Sequence, residues 1–478
     1  MTNTPVRTRM APSPTGELHI GSFSIILKNY AFAKKHGGQF VLRVEDTDKV
    51  REVEGAKERL LETIKGYGLS WDEGPDIGGP HAPYIQSERL DLYQEKAKQL
   101  VKEGKAYYCF CSRERLEEDR EKARAAKIPP KYGRHCRNLS EEEVQKKLAD
   151  GSKYVIRLKV PDNRPIVYTD LIRGDIEVNS DIIDDQVLLK SDGFPTYHLA
   201  VVIDDNDMEI SHIMRGEEWL SSTPKHILLY EAFGWAPPVF AHIPVYLNPN
   251  GKGKMSKRKG DVSAQSYLDK GYLPEALLNF FMILGWTPKD QRDIVTLDEY
   301  IKEFDPKDIS KKSVAFDIDK LNWLNGIYIR KMWEEDKDGL IEKLNEFFPS
   351  DFPKEKFDEI LPLIYERLEK LADIDQLTGF FYKDIEVDQD LLLKKGDKEL
   401  VGQQLSELSE RLSKIEWNVE NIEQVIRDLQ AEKDYKKKQF FMMVRIAVTG
   451  KKATPPLFET MEVLDKDLTI KRLETALN

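Results

Sequence analysis

Two separate groups of residues have side chains suited to binding a phosphate. His19 and Gly21 occur where a helix is predicted to begin, and free backbone N–H groups with the positive end of the helix dipole favour an anion there. Lys254 and Lys257 occur in the segment 252–259, in which five of eight residues are basic. Each group alone has an ordinary explanation: a histidine that begins a helix, or a solvated basic loop. Together they predict a site that binds and displaces phosphate groups.

The elements around His19 predict how its side chain is positioned. Val6–Met10 has strand character, the apolar residues after Ser22 recur at helical spacing, and Gly37-Gly38 ends that helix. A second strand is predicted at Gln39–Glu45, the sheet is predicted to resume near Val187, and strand signals are predicted to end after about residue 262. This order of strand, turn, helix and strand is typical of the phosphate-binding half of a parallel α/β sheet. The turn matches neither the G-x-G-x-x-G fingerprint nor a Walker loop.

These segments resemble a known enzyme family. Leu18-His19-Ile20-Gly21 resembles the first signature of class I aminoacyl-tRNA synthetases, and Lys254-Met255-Ser256-Lys257-Arg258 resembles their second. Pro12-Ser13-Pro14-Thr15-Gly16 and Arg43-Val44-Glu45-Asp46-Thr47-Asp48 are similar to the bacterial glutamyl-tRNA synthetases in particular. The two signatures stand in the family's order, about 235 residues apart, which is far more specific than either alone. Similar segments continue to the C-terminus, so the resemblance covers nearly the whole chain.

The resemblance implies an α/β fold of the class I type. A Rossmann-like parallel sheet carries an inserted acceptor-binding domain and is followed by all-helical anticodon-binding domains. The implied divisions are 1–85 and 191–252 for the two halves of the catalytic domain, 86–190 for the insertion, 253–335 for the second-signature loop and stem-contact helices, and 336–478 for the anticodon-binding region, with a subdomain boundary near 390.

The resemblance also implies a glutamate–tRNA ligase activity that uses ATP and Mg²⁺. A glutamate carboxylate attacks the α-phosphorus of ATP, and the 2′-hydroxyl of the terminal adenosine of tRNA(Glu) then attacks the glutamyl adenylate. Such chemistry depends on positioning and on cations placed where negative charge develops. The implied catalytic residues are His19, Gly21, Lys254 and Lys257. The implied ATP-binding residues are Pro12, His19, Gly21, Ser22, Met255, Ser256 and Lys257.

A glutamate substrate calls for arginine, because a guanidinium can hold both oxygens of a carboxylate. The resemblance places Arg9 and Arg215 near strand ends, where parallel α/β sheets bind ligands, and Glu45 against the substrate ammonium. Each arginine taken singly is also explained by a surface ion pair. The implied set is completed by Ala11, Ser13, Tyr197 and Trp219. Some relatives have an amide side chain where this chain has Val201, so that contact is absent here.

The cysteines Cys109, Cys111 and Cys136 all fall in the predicted insertion. Thiolates are preferred ligands of structural zinc, and a tetrahedral site needs a fourth ligand. Some relatives place a histidine two residues after the last cysteine, where this chain has Asn138, and others use a tyrosine that matches Tyr132. The resemblance therefore implies one structural Zn²⁺ held by Cys109, Cys111, Tyr132 and Cys136. Three incidental thiols are the alternative.

The span from about 330 to 478 is rich in Leu, Lys and Glu at helical spacing. The resemblance implies that it binds the anticodon through Arg367, Arg445, Thr454 and Leu457. In the family, an arginine at the position of Arg367 marks enzymes that charge only tRNA(Glu), and glutamine there accompanies relaxed choice. A discriminating enzyme is therefore expected. A solvated arginine on a charged helix is the alternative.

Composition limits the compartment and the partners. The formal net charge of −11 argues mildly against nucleic acid, although local basic patches can bind RNA on an acidic protein. No apolar run reaches the roughly 18–20 residues that span a bilayer, and the N-terminus lacks a charged-then-apolar leader. Three cysteines do not form a disulfide framework, which favours a reducing cytoplasm. With the resemblance, these observations predict a cytoplasmic monomer whose partners are L-glutamate and tRNA(Glu), with no membrane.

Several alternatives remain open. A glutaminyl-tRNA synthetase shares the architecture, but its first motif usually begins Pro-Glu-Pro rather than Pro12-Ser13-Pro14. A non-discriminating glutamyl-tRNA synthetase would also charge tRNA(Gln). A truncated paralogue that glutamylates a modified base lacks the anticodon domain, and this chain is too long for it. A non-catalytic RNA-binding relative would not need both signatures intact.

Overall fold

The computed structural model of the chain describes residues 5–14, 16–47, 53–128, 131–255, 263–393 and 397–477. Ser256, Lys257 and Arg258 of the second signature lie outside the described residues, as do Thr15 and Asp48. The chain divides into two compact units. The first comprises Met1–Tyr267 and Leu277–Ile318, and the second comprises Leu268–Ala276 and Asp319–Asn478. The predicted division into five segments stays a prediction.

The strands, in chain order, are β1 (Arg7–Met10), β2 (Gln39–Leu42), β3 (Ala106–Cys109), β4 (Val155–Leu158), β5 (Pro165–Asp170), β6 (Gly174–Asn179), β7 (Val187–Leu189), β8 (His212–Gly216), β9 (Val239–Ile243), β10 (Tyr246–Leu247) and β11 (Val314–Ala315).

The helices, in chain order, are α1 (Ile20–Lys35), α2 (Ala56–Gly66), α3 (Leu90–Lys102), α4 (Arg113–Ala125), α5 (Glu141–Ala149), α6 (Tyr197–Asp207), α7 (Thr223–Phe233), α8 (Ala264–Asp269), α9 (Pro274–Ile283), α10 (Leu297–Glu303), α11 (Ile318–Glu335), α12 (Lys337–Asn345), α13 (Phe357–Ile364), α14 (Ile374–Thr378), α15 (Gln389–Leu393), α16 (Lys398–Leu412), α17 (Val419–Glu432), α18 (Lys437–Thr449), α19 (Leu457–Leu464) and α20 (Lys466–Thr475).

The predicted strand–helix–strand unit at the N-terminus is confirmed as β1, α1 and β2. β1 and β2 pair in parallel, with Arg7 opposite Gln39 and Met10 opposite Leu42. The backbone N–H of Ser211, directly before β8, donates to the carbonyl of Arg7 at 3.0 Å, so β1 also borders β8. β8 pairs in parallel with β9, β9 pairs in parallel with β5, and β6 is an antiparallel edge. These strands form a mainly parallel layer in the order β2-β1-β8-β9-β5-β6.

The layer is positioned by a buried face of α1. Phe23, Leu27 and Ala31, which the sequence places at helical spacing, are all fully buried. His36 and Gly37 close the helix through backbone hydrogen bonds to its last turn, and β2 begins two residues later. The N-terminal end of α1 therefore lies where β1 ends, the edge at which open α/β sheets bind ligands.

Two predictions about strands are wrong. The central sheet was expected to resume near Val187, but β7 pairs antiparallel with β4, which in turn pairs with β3. These strands form a separate sheet, and the central layer resumes only at His212 in β8. Strand signals were also expected to end after about residue 262, whereas β11 pairs in parallel with β10.

The second unit is helical, as predicted, and has its own core. That core is built from buried residues such as Leu273, Leu408, Ile426, Val444 and Met461, contributed by helices from α11 to α20 and by the segment Leu268–Ala276. A helix long and apolar enough to cross a membrane is not found among the described residues.

Candidate functional site

The first turn of α1 fixes the tautomer of His19. Its Nδ1 accepts the backbone N–H of Gly21 at 2.9 Å and so caps the helix. A neutral imidazole that accepts at Nδ1 carries its proton on Nε2, which makes Nε2 a donor toward a phosphate oxygen. The backbone N–H of Gly21 is therefore bound by the His19 ring. A Cβ at Gly21 would lie 3.1 Å from Nδ1, so a side chain there would press on the ring.

The described residues that flank 256–262 lie beside His19 and Gly21. On one side, Leu247 forms a β-bridge with Lys254, and the N–H of Met255 donates to the carbonyl of Tyr246 at 2.9 Å. On the other side, Ser263 forms a bridge with His19. The two signatures, far apart in sequence, are thus adjacent in the first unit. The predicted roles of Ser256 and Lys257 fall outside the described residues.

Two adjoining cavities follow this edge of the sheet. The larger has a volume of about 690 Å³, and the predicted residues that line it are Arg9, Ala11, Pro12, Ser13, His19, Ser22, Glu45, Tyr197, Arg215 and Trp219. The smaller has a volume of about 180 Å³, and the predicted residues that line it are His19, Gly21, Ser22, Lys254 and Met255. Every described residue of the implied glutamate and ATP sets therefore lines one of the two cavities.

One wall of the larger cavity is held together by ion pairs. Arg9 donates to both oxygens of Asp205, at 3.1 and 3.3 Å, and Arg43 donates to Asp205 at 2.8 Å and to Glu45 at 3.0 Å. Burial opposes ionisation of Asp205, but Arg9 and Arg43 outweigh it and hold the pKa of that carboxyl below its usual value. Burial raises the pKa of Glu45, although Arg43 opposes the shift. Arg43 also lies 3.5 Å from Asp204, so the two guanidiniums face three carboxylates in this wall, which we call the ion-paired wall.

A second wall, formed around the neighbouring strand β8, surrounds Arg215 with neutral acceptors. Its guanidinium donates to His242 Nε2 at 3.1 Å and to Thr223 Oγ1 at 2.9 Å, and it lies 3.3 Å from His226 Nδ1. Among the described residues, no carboxylate pairs with Arg215, which is 5% exposed. Burial lowers the pKa of Arg215 below its ordinary value. Because none of the described carboxylates neutralises Arg215, its charge remains available to an anion that enters the cavity. We call this the histidine wall.

A second layer fixes the histidine tautomers. Asp170 accepts from His242 Nδ1 at 2.7 Å, so Nε2 of that ring carries the lone pair that accepts from Arg215. His226 Nε2 lies 3.0 Å from Nδ1 of His198. Thr223, His226 and His242 were not predicted, because a lone threonine and single histidines at irregular spacing give no recognisable pattern.

Aromatic side chains shape the side of the cavity near Arg215. The rings of Tyr197 and Trp219 stack with centroids 4.3 Å apart and planes 30° apart. Burial raises the pKa of Tyr197 to about 12, so its hydroxyl keeps its proton and can donate. Together they give the cavity an apolar wall beside Arg215 that excludes water, which strengthens the attraction between that guanidinium and a bound carboxylate.

The three cysteines converge in the insertion, as predicted. Their Sγ atoms lie within 4.8 Å of one another, and those of Cys111 and Cys136 are 3.7 Å apart. Sulfurs bound to one zinc at about 2.3 Å lie about 3.8 Å apart in a tetrahedron. The hydroxyl of Tyr132 lies 3.2 Å from Cys109 Sγ and 3.4 Å from Cys111 Sγ. Three sulfurs and one phenol oxygen therefore fit the donor set of a tetrahedral zinc.

Groups beside the cysteines bear on the fourth ligand. The guanidinium of Arg157 lies 3.9 Å from the centroid of the Tyr132 ring, but burial and then the neighbouring thiols raise the pKa of the Tyr132 hydroxyl, which disfavours its phenolate form. His135, adjacent to Cys136, instead places Nε2 2.7 Å from an Asp119 oxygen. Its ring is thus engaged away from the sulfurs, and Tyr132 remains the better fourth donor.

In the second unit, two of the predicted anticodon residues, Arg445 and Thr454, contact each other. Arg445 donates to the hydroxyl of Thr454 and to the carbonyl of Pro455, the latter at 2.7 Å. Burial and then the charge of Arg367 lower the pKa of Arg445. Arg367 is exposed, whereas Leu457 is buried in the core at 5% exposure. Within the described part of the chain, neither Arg367 nor Arg445 forms an ion pair with a carboxylate, although the charge of Glu459 acts on Arg445. Their N–H donors are suited to nucleotide oxygens.

Comparison with known proteins agrees with this geometry. Residues 5–323 match the family described as tRNA synthetases class I (E and Q), catalytic domain. The chain belongs to this family. Residues 339–477 match an anticodon binding domain. The fold is accordingly the class I synthetase fold, with a Rossmann-like parallel core and a helical anticodon domain, as the sequence predicted.

Individual members of the class I family are similar over their whole length. A glutamate–tRNA ligase of Clostridioides difficile is 45% identical over 98% of both chains, and one of Finegoldia magna is 43% identical over 99% of both. The crystal structure of a glutamate tRNA ligase from Elizabethkingia meningosepticum, in complex with its amino acid, matches with a TM-score of 0.86 and 39% identity over 99% of both chains.

Proposed function

We propose that this chain is a glutamate–tRNA ligase that forms glutamyl adenylate and transfers the glutamyl group to tRNA(Glu). The observation that carries the proposal is Arg215, a buried guanidinium with neutral acceptors on one side and the larger cavity on the other. A buried cation without a carboxylate partner is poised for an anionic substrate. The full-length similarity to glutamate–tRNA ligases supports the same substrate.

In the proposed mechanism, Arg215 and Arg9 hold substrate carboxylate groups and Glu45 accepts from the substrate ammonium. Ala11, Ser13, Tyr197 and Trp219 complete the amino-acid pocket. His19 Nε2 donates to the α-phosphate region, and Lys254 and Lys257 neutralise the departing pyrophosphate. Pro12, Gly21, Ser22, Met255 and Ser256 complete the ATP site. Bound Mg²⁺ supplies charge neutralisation on the phosphates.

Pyrophosphate exchange tests this proposal directly. Exchange is measured with glutamate, with glutamine and without amino acid, each in the presence and absence of tRNA. Exchange that requires glutamate and is promoted by tRNA supports the assignment. Exchange with glutamine instead would identify a glutaminyl enzyme, and no exchange with any amino acid would support a non-catalytic RNA-binding relative.

The role of Lys257 has its own test. We expect Lys257→Ala to slow exchange about a hundred- to thousandfold, because it removes a cation placed for charge that develops in the transition state. Binding of tRNA should change little. Lys252→Ala, an exposed lysine of the same loop, is the matched control. Exchange at the wild-type rate in Lys257→Ala would contradict the role.

We also propose that Cys109, Cys111, Tyr132 and Cys136 hold one structural zinc, on the basis of the sulfur and phenol spacing. Elemental analysis of protein purified without chelator should give one zinc per chain. Cys111→Ser should abolish the metal, while His135→Ala should retain it, because that ring bonds to Asp119. A content near zero with fold and activity intact would favour incidental thiols.

The choice of tRNA is proposed to depend on Arg367. A guanidinium has donors only, so it favours the acceptor oxygen and ring nitrogen of C over the N1–H of G at the third anticodon base. The expected preference for tRNA(Glu) over tRNA(Gln) is roughly ten- to hundredfold in kcat/KM, and Arg367→Gln should reduce it. Arg411→Gln, whose side chain pairs with Glu407 and Glu432, is the control. Equal charging of both tRNAs by the wild type would reject a discriminating enzyme.

The proposed setting is a monomer in the cytoplasm, where tRNA, ATP and glutamate are present and where three clustered thiols stay reduced. Light scattering during gel filtration, with and without tRNA, measures the oligomeric state. A dimer at micromolar concentration would contradict the monomer.

A further inference from the structure

Lys28 is a lysine that the proposed mechanism does not use. It lies in the middle of α1, and its side chain is fully buried, at 0% exposure. Its Nζ donates to Ser24 Oγ at 2.7 Å, to the hydroxyl of Tyr246 at 3.2 Å and to the carbonyl of Phe281 at 3.4 Å. No carboxylate pairs with it among the described residues.

The three acceptors match the chemistry of an ammonium. A lysine has three N–H donors and no acceptor, and each donor here has one partner. An ammonium buried without a carboxylate is costly, and it persists only where its hydrogen bonds are satisfied. A methionine of similar length would fill the same space without that cost. The buried Lys28 ammonium is therefore best explained by the role of the residues to which it donates hydrogen bonds.

Tyr246 connects Lys28 with the second-signature loop. It begins β10 and lines the smaller cavity, and its hydroxyl lies 2.6 Å from Ser24 Oγ. Its carbonyl accepts from Met255, and the next residue, Leu247, bridges to Lys254. Lys28 thus holds the strand that leads into the loop against the helix that begins with the first signature.

We propose that Lys28 is a positioning residue for ATP. It fixes β10 on α1, and thereby sets the distance between His19 on the helix and Lys254 at the loop entrance. Adenylate formation depends on such spacing, because groups on both elements must meet the same triphosphate. The inference rests on the proposed function for its kinetic consequence, while its effect on ATP binding can be measured without any reaction.

Lys28→Met tests the proposal. We expect the ATP KM in pyrophosphate exchange, and the Kd for Mg·ATP in equilibrium dialysis, to rise about tenfold. The reason is that the variant loses the hydrogen bonds from the Lys28 ammonium to Ser24 and Tyr246. The glutamate KM should stay within about twofold of wild type, because Lys28 does not touch the larger cavity. Thermal stability should not fall, because a buried charge is replaced by an apolar group.

Two further variants sharpen the test. Tyr246→Phe should raise the ATP KM in the same way. Adding Lys28→Met to it should change the ATP KM little more, because both substitutions disrupt the same contact between α1 and β10. Lys34→Met, a partly exposed lysine of the same helix that pairs with Asp72, is the matched control and should behave as wild type.

The outcomes separate the positioning role from the proposed function. An unchanged Mg·ATP Kd in Lys28→Met would overturn the positioning role, as would a joint rise of both KM values with a lower melting temperature, which indicates general structural damage. If the wild type binds Mg·ATP more tightly than Lys28→Met but shows no exchange with glutamate, the positioning role stands and the ligase proposal fails.

Discussion

The two walls of the larger cavity use the same residue type in opposite ways. In the ion-paired wall, Arg9 and Arg43 share Asp205, and Arg43 also donates to Glu45. In the histidine wall, Arg215 contacts only neutral acceptors, and the nearest carboxylate along that chain of contacts, Asp170, lies behind the His242 ring. Two arginines that look alike in the sequence therefore differ in how much charge they offer a ligand.

This difference suits a zwitterionic substrate with an extra carboxylate. The ion-paired wall presents the Glu45 carboxylate, which an ammonium can approach, and the histidine wall presents an unbalanced guanidinium, which a carboxylate can approach. The cavity is polarised without any large net charge in its lining. The experiments that follow alter one wall at a time.

The largest effect is expected from removing the shared carboxylate of the ion-paired wall. Asp205→Asn would leave Arg9 and Arg43 buried with too few partners, so the free energy of unfolding should fall by about 3–5 kcal/mol. Urea unfolding monitored by fluorescence measures the change. Asp207→Asn, on the same helix but with a half-exposed carboxylate, is the control and should lose far less. Equal losses in the two variants would remove the special role of Asp205.

The next effect concerns the guanidinium of the histidine wall. Arg215→Lys should raise the glutamate KM roughly ten- to hundredfold and leave the ATP KM little changed, because a lysine cannot make the planar two-point contact. Arg9→Lys should raise the glutamate KM less, since Arg9 spends two donors on Asp205. An unchanged glutamate KM in Arg215→Lys would transfer the main carboxylate contact to Arg9.

A smaller effect should follow from altering a neutral acceptor. His226→Leu leaves one donor of Arg215 without a partner, so the glutamate KM should rise about tenfold. His226→Gln keeps an acceptor oxygen and should recover most of the loss. A structural role alone would instead damage both variants, and would lower the melting temperature without separating the glutamate and ATP KM values.

The smallest effect is a pH dependence confined to the histidine wall. Burial, then the charges of Lys225 and Arg215, lower the pKa of His198 to about 4, and burial lowers the pKa of His226 well below its usual value. The folded state therefore holds these rings neutral, while the unfolded chain protonates them below about pH 6.5. Their contribution to stability is complete above that pH and is lost as the pH falls toward about 4.

Each such histidine should remove about 1 kcal/mol between pH 6.5 and pH 5.5. His226→Gln should recover that amount, measured as a shallower fall in the free energy of unfolding. His36→Gln, at the exposed end of α1, serves as the control. Asp205 of the ion-paired wall becomes protonated only at lower pH, because its pKa is depressed below the usual carboxyl value. Identical pH profiles for His226→Gln and wild type would show that His226 titrates normally.

Local sequence patterns predicted the strands and helices around the site, but not which strands pair and which side chains contact one another. The β1–α1–β2 unit was predictable because each element has its own period and its own end signals. Val187 was assigned to the wrong sheet, because a short apolar strand looks the same whichever partner it pairs with. Its partner, β4, is chosen by packing within the insertion.

The site shows the same limit in its side chains. Arg9 and Arg215 were predictable as a pair from the family resemblance, yet nothing in the sequence distinguished their partners. Asp205 lies 196 positions from Arg9 in the sequence, and only the folded sheet brings the two together. The capping of Gly21 by His19 is local, but it depends on one rotamer of the ring, which a sequence pattern does not report.

The second unit includes a short segment, Leu268–Ala276, that precedes its main segment, Asp319–Asn478, in the chain. Leu273 and Ala276 belong to its core, and the backbone of Leu273 is held by Asn325, although Leu277–Ile318 returns to the first unit. The anticodon-binding half is thus not a clean module: a graft or an excised fragment that starts at residue 319 would leave a hole in its own core. Recombination between relatives would preserve foldability only when the short Leu268–Ala276 segment travels with the helices it completes.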